Sequence, residues 1–177
     1  MRMLFRMNWL LALLLLAGCA GAPEKVFISR PEVQKVSNEA FDASIQPLKL
    51  DNPFYVAFQL EVRNKTPKPL SIDWNNTRYL HNNQDRGRFV FKGIDPESIK
   101  SGIPPETIPG GQKLSKRIHP LKTLGFMRRR DIPKPGQSNF FPGILPNGIN
   151  SVVLVVNQAE RQWKEKLTVH FTSKEIP

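Results

Sequence analysis

The chain has 177 residues, 26 lysines and arginines against 15 aspartates and glutamates, a formal net charge of +11, three histidines and one cysteine. One cysteine excludes an internal disulfide and a cysteine-based metal cluster, so a hydrophobic core has to hold the fold. The length suits a single domain, and an excess of positive charge favours anionic lipid headgroups or acidic partners.

The first eight residues carry Arg2 and Arg6, and Trp9 to Ala17 form an unbroken apolar run, followed by Gly18-Cys19-Ala20-Gly21. A basic start, a short apolar core and small residues at the junction predict a cleaved secretory signal. Nine residues of helix reach about 14 Å, half of a hydrocarbon core, which argues against a membrane span. The junction Leu16-Ala17-Gly18-Cys19 resembles the lipobox of bacterial lipoproteins. That resemblance implies cleavage before Cys19 and acyl chains on its sulfur, hence an anchored protein rather than a catalytic thiol. In Gram-negative lipoproteins an aspartate after the cysteine favours the inner membrane; Ala20 here implies the outer membrane, facing the periplasm. Cleavage removes Arg2 and Arg6 and leaves 159 residues with 24 basic against 15 acidic, a net charge of +9. The expected organisation is a signal at 1–18, a lipidated tether at 19–24 and one domain at 25–177.

Along the domain, Val26-Phe27-Ile28 predicts an edge strand. Ser29 followed by Glu32 has the spacing of a helix cap, which predicts a short helix over Pro31–Ser37. Ala40–Gln46 alternates as a strand. Phe54, Val56, Phe58, Leu60 and Val62 then alternate with smaller or polar residues, the period of a half-buried strand. Asn64 to Pro69 breaks the pattern with two prolines, and Leu70, Ile72 and Trp74 resume it. Two such strands around a polar turn predict a hairpin packed on a second sheet, and Thr77–Leu80 extends its second strand. His81 to Gly87 reads as a turn and Arg88–Lys92 as a strand with Phe89 and Phe91 on one side. Gly93 to Gly111 carries four prolines, which predicts no regular element; Lys113–Ile118 is a strand with Leu114 and Ile118 inward. Asp131 to Asn150 is irregular. Ser151–Asn157 contains VVLVV, a strand that is central or covered on both faces, and Trp163, Leu167, Val169 and Phe171 share one face of a final strand.

Seven or eight short strands without a long helix predict an all-β antiparallel sandwich. Val62-Arg63-Asn64-Lys65-Thr66, Pro69 to Asn75 and Pro104 to Gly111 resemble a group of small bacterial lipoproteins with an Ig-like sandwich. The resemblance implies fold more than chemistry; Trp74 would fill the core position that lies beside a disulfide in true Ig domains.

His81, His119 and His170 lack metal-site spacing, which predicts surface histidines, and no metal or cofactor is expected. No nucleophile elbow or phosphate-binding loop is present. Asp73 is the carboxylate to test for chemistry, its bland alternative being an outward side chain beside the Asn75-Asn76 turn. Asn64-Lys65-Thr66 and Asn75-Asn76-Thr77 read as turn chemistry. The polar feature that stands out is a basic cluster of Lys113, Lys116, Arg117, Lys122, Arg128, Arg129, Arg130 and Lys134. It reads either as a solvated loop or as a contact for phosphates, membrane headgroups or an acidic partner. Phe140-Phe141 reads as a cap on the core or as an apolar tip for a partner. Aromatic interleaving limited to Phe126 makes nucleic acid a weak third choice for the cluster, and no nucleic-acid partner is expected. Three functions follow: a non-catalytic binding or structural module of the envelope, a binder of anionic lipid or lipopolysaccharide, and an envelope hydrolase with a spatially assembled site.

Overall fold

The computed structural model describes residues 24–94, 98–126 and 140–176; the expected signal at 1–18, Cys19 and most of the expected tether at 19–24 fall outside these. In chain order the strands are β1 (Glu24–Arg30), β2 (Gln34–Ser37), β3 (Phe41–Leu48), β4 (Ala57–Asn64), β5 (Leu70–Ile72), β6 (Arg78–His81), β7 (Gln84–Gly87) and β8 (Phe89–Val90). A 3-10 turn at Ser98–Ser101 precedes β9 (Glu106–Ile108) and β10 (Lys113–Pro120). A second 3-10 turn at Leu121–Thr123 leads to β11 (Gly125–Phe126), β12 (Phe140–Phe141), β13 (Gly148–Gln158) and β14 (Arg161–Ile176).

Two antiparallel sheets make the sandwich. One runs β1-β14-β13-β5-β9, with β6 beside β5 along the same edge of β13 and β7 paired to β6; the other runs β2-β3-β4-β10-β8. The expected all-β architecture is therefore present. The strand count exceeds the expected seven or eight because elements of two to four residues, β5 to β9 among them, line the edges of the longer strands. The core is shared by both layers: Phe58, Leu60 and Val62 of β4 and Ile118 of β10 meet Tyr79, Leu154, Leu167 and Phe171. Phe58 lies 6.3 Å from both Tyr79 and Phe171, measured between ring centres. Trp74, fully buried, packs on Phe91 at 4.6 Å and donates its Nε1–H to Glu106.

Several predicted elements change. Residues Pro31–Ser37 are a bend followed by strand β2 rather than a helix; Val36 pairs with Ala43 of β3, and tertiary pairing overrides the local cap pattern. The strand begins at Ala57, with Phe54 and Tyr55 ahead of it packed on Phe27 and Phe171. Thr77–Leu80 does not continue the Trp74 strand, because Asp73 folds the chain at Asn75 and Asn76 before β6 starts. Inside the proline-rich Gly93–Gly111 stretch, β9 forms and pairs with β5.

The largest correction concerns the expected hairpin. β4 and β5 do not pair; they belong to opposite sheets, and the chain crosses between layers at residues 64–69. Alternation identifies a strand with one buried face but not the neighbour it bonds. The crossing is held by Asn64, which is completely buried. Its Nδ2 donates to the carbonyls of Lys68 (2.8 Å) and Ile108 (3.0 Å), and its Oδ1 accepts from the Thr66 N–H and hydroxyl, both at 2.9 Å. One carboxamide thus joins β4, the crossing loop and β9 of the other sheet.

The sandwich has two ends. At the far end, β13 and β14 turn at Ala159-Glu160, and Gln158 bonds Thr66 and Lys68 of the crossing loop. At the opposite, entry end lie the starts of β4 and β13 and the end of β10. β14 runs past the first residue of β13, so Thr172–Ile176 pairs with Glu24–Ile28 alone, as a two-stranded ribbon. Asn150 holds this end as Asn64 holds the other: its Nδ2 donates to the Pro146 and Gly148 carbonyls, and its Oδ1 accepts from the Tyr79 hydroxyl. Burial pushes the Tyr79 pKa well above its usual value, which keeps that donor protonated.

Replacing Asn64 with alanine removes bonds to the crossing loop and to β9 at once. Asn64→Ala is expected to lower unfolding stability by about 2–3 kcal/mol, seen as a lower urea midpoint. A shift of less than about 0.5 kcal/mol would show that the crossing does not depend on this carboxamide.

Candidate functional site

The sequence-derived site residues divide by location. Cys19, Arg128, Arg129, Arg130 and Lys134 lie outside the described residues. The described residues on either side of the arginines, Phe126 and Phe140, are paired to each other across β11 and β12. Phe141 does not cap the core: it is 44% exposed, and its ring lies over Gly125, where any added Cβ would meet it at 2.3 Å.

The rest of the basic cluster is dispersed by strand alternation in β10. Lys113, Ser115, Arg117 and His119 point to the outer face of the five-stranded sheet, whereas Lys116 points between the layers. There Lys116 forms an ion pair with Glu106 at 2.6 Å and sits 4.1 Å above the Phe91 ring. Lys122 is carried to the entry end on the second 3-10 turn.

The outer face of the five-stranded sheet is the broadest polar surface with a regular layout. Register places Ser37, Asp42, Arg63 and Lys113 in one row, then Lys35, Ser44, Glu61 and Ser115, then Gln46, Gln59 and Arg117. Two shallow depressions mark it, the second reaching round the edge of β10 to Lys116 and Lys92. The first, about 560 Å³, is lined by residues that include Lys35, Asp42, Glu61, Arg63 and Lys113; its charges are partly matched, with Lys113 bonded to Glu61 at 2.7 Å and Lys65 lying 3.5 Å from Asp42. The Ser37 hydroxyl, and beyond it Lys65, hold the Asp42 carboxyl below its ordinary pKa. The second, about 650 Å³, is lined by Gln59, Lys92, Ser115, Lys116, Arg117 and His119, without a carboxylate.

No protein family, curated protein or solved structure matches this chain. Its chemistry therefore rests on the geometry alone. The three histidines sit apart. His81 bonds the Asn147 carbonyl at the entry end, His119 faces the second depression, and His170 lies on an exposed position of β14. Among the described residues no group of three or more histidine, cysteine or acidic side chains could hold a metal ion. Asp73 takes the structural role: Oδ1 accepts from the Asn75 and Asn76 amides, and Oδ2 from the Asn76 side chain. Asn75-Asn76 forms a turn, as expected, with the Thr77 hydroxyl donating to the Asp73 carbonyl; Asn64 ends β4 and accepts from the Thr66 N–H at the layer crossing. What the arrangement can do is present an array of short polar side chains and fixed cations to a partner. Sequence reading singled out the loop arginines because they are consecutive; the register that aligns Arg63 beside Lys113 needs the sheet pairing.

His119 is the titratable group of this face whose shift comes mainly from burial. Partial burial lowers its pKa against the opposing bond from Nδ1 to the Val56 carbonyl, and Arg117 lowers it further. The neutral ring is favoured by folding, so its contribution is complete above the unfolded histidine pKa of about 6.5 and is lost as pH falls through the lower folded value. Denaturation midpoints should therefore fall between about pH 7 and 5. His119→Gln, which keeps a donor near Val56, should flatten that slope; an unchanged slope would assign it to other groups.

Proposed function

We propose that this protein is a lipid-anchored, non-catalytic module of the bacterial cell envelope, held to the outer membrane through acyl chains on Cys19 and presenting its sandwich to a periplasmic partner. The anchor rests on the Leu16-Ala17-Gly18-Cys19 junction behind a short apolar run. The observation that favours binding over catalysis is the outer face of the five-stranded sheet. It is polar and ruled into rows, and its cations outnumber its two carboxylates, Asp42 and Glu61. A hydrolase would need a nucleophile and a base converging in a water-excluding cleft. The described histidines are dispersed over separate surfaces, and both depressions are wide and shallow.

A polar sheet face of this kind suits an acidic or hydroxyl-rich partner surface, because serine, glutamine and arginine donors are fixed on a rigid frame. Opposite charges at Arg63 and Arg117 remove that complementarity without touching the core, since both side chains are exposed.

Two measurements test the reading. The amino-terminal peptide of the native protein should carry acyl groups on Cys19 by mass spectrometry; an unmodified thiol would overturn the anchor. Chemical crosslinking in native membranes should recover a defined partner, and the Arg63→Glu/Arg117→Glu variant should recover it several-fold less. Equal recovery would remove this face from the contact.

A further inference from the structure

We propose that the entry end of the sandwich is a membrane-docking face, which lays Phe141, Ile144 and Ile176, flanked by Lys25, Lys122 and Lys174, on an anionic lipid surface. This rests on the lipid-anchored reading and adds to it an orientation and a second point of attachment.

Exposed apolar side chains are distributed unevenly over the molecule. Among the described residues the large exposed ones are Val33, Phe141, Ile144, Ile149 and Ile176. Single exposed apolar residues are ordinary, but four of these five belong to the entry end. Phe141 pairs with Gly125, just beyond the second 3-10 turn. Ile144 adjoins Leu145, whose N–H bonds the Tyr55 carbonyl. Ile149 is the second residue of β13, and Ile176 is the last of the ribbon, opposite Glu24. The far end carries Lys65, Lys68, Gln112, Ala159, Glu160 and Arg161 in its turns and exposes no large apolar side chain there.

The tether length decides which end meets the bilayer. Cys19 precedes Glu24 by five residues, and five residues of extended chain span at most about 18 Å. The eleven residues of β13 separate the two ends by about 35 Å. An acyl chain on Cys19 therefore brings the ribbon to the headgroups and leaves the far end out of reach. Ile176 and Glu24 lie at the ribbon tip, with Lys25 and Lys174 one and two residues behind.

The charge at this end fits an anionic surface. Among the described residues Lys122 and Lys174 are exposed and have no acidic partner within ion-pair distance, although Lys122 lowers the Asp85 pKa from farther off, and Lys25 has only the exposed Glu175 at 3.5 Å. Apolar side chains that insert among cations add a second contact with the interface and fix the orientation of a body that acyl chains alone leave free to swivel. Conversely, a protein partner at this end would have to share the space with the bilayer.

The test uses the acylated protein, in which modified Cys19 leaves no free thiol. Phe141→Cys, Ile144→Cys and, at the far end, Glu160→Cys are labelled singly with an environment-sensitive fluorophore. Each is bound to vesicles of phosphatidylethanolamine with or without phosphatidylglycerol. The expected result is a blue shift and several-fold brightening at 141 and 144 on anionic vesicles, none at 160, and loss of the effect in high salt or with Lys122→Glu/Lys174→Glu. Ile144 is exposed, so its variant carries the test if Phe141→Cys does not fold. Co-flotation without a shift at 144, or an equal shift at 160, overturns the docking face while the anchor stands. A shift that needs an added envelope protein also overturns it and gives the face to that partner. An unmodified Cys19 removes the anchored reading and this inference together.

Discussion

A chain that passes from one sheet of a sandwich to the other must turn through the interior, where every peptide group that leaves a ladder needs a new partner. In this protein Asn64 meets that requirement. It ends β4, crosses no further into the core than its own side chain, and bonds the loop that follows and the edge strand of the facing sheet. Because the acceptors are main-chain carbonyls of the crossing loop and of β9 in the facing sheet, the carboxamide fixes both the path of the crossing and the spacing of the layers. Asn150 repeats the device at the other end with Tyr79 as donor. Among the described residues no buried side-chain nitrogen or oxygen is left without a partner, the condition for polar groups to stabilise a core.

With both ends held in this way, the two outer surfaces are free to differ. The five-stranded sheet turns rows of serine, glutamine and cations to solvent. The other sheet buries β13 on both sides, with Val152, Leu154 and Val156 inward and Val153 and Val155 almost as fully covered on the outer side. The ends differ as well: polar turns close one, and exposed apolar side chains with the projecting ribbon mark the other. Such a body has a direction, which suits a module attached at one point and read from elsewhere on its surface.

Much of this was legible in the residues. Period-two alternation located β3, β4, β10 and β14, and the continuous VVLVV run marked β13, the strand that ends up flanked on both edges. The Asn75-Asn76 turn was recognisable because asparagine and threonine bond nearby backbone. The short strands β2 and β9 escaped, since three or four residues beside proline carry too little pattern to distinguish an edge strand from a loop. The basic cluster looked like one feature because its members are close in sequence. In the fold, alternation sends Lys116 between the layers and Arg117 outward, and Lys122 to an end.

Composition and local period thus determined that this is an all-β sandwich with a core free of disulfides, because burial on one face of a strand is written into every second residue. The apolar run and the cysteine behind it set the expectation of an anchor for the same reason: the chemistry is local. Which strands pair, that β4 and β5 part company at Asn64, and which side chains gather at the entry end were decided only by the tertiary structure. Those outcomes depend on contacts between residues dozens of positions apart, and no local pattern specifies a distant partner.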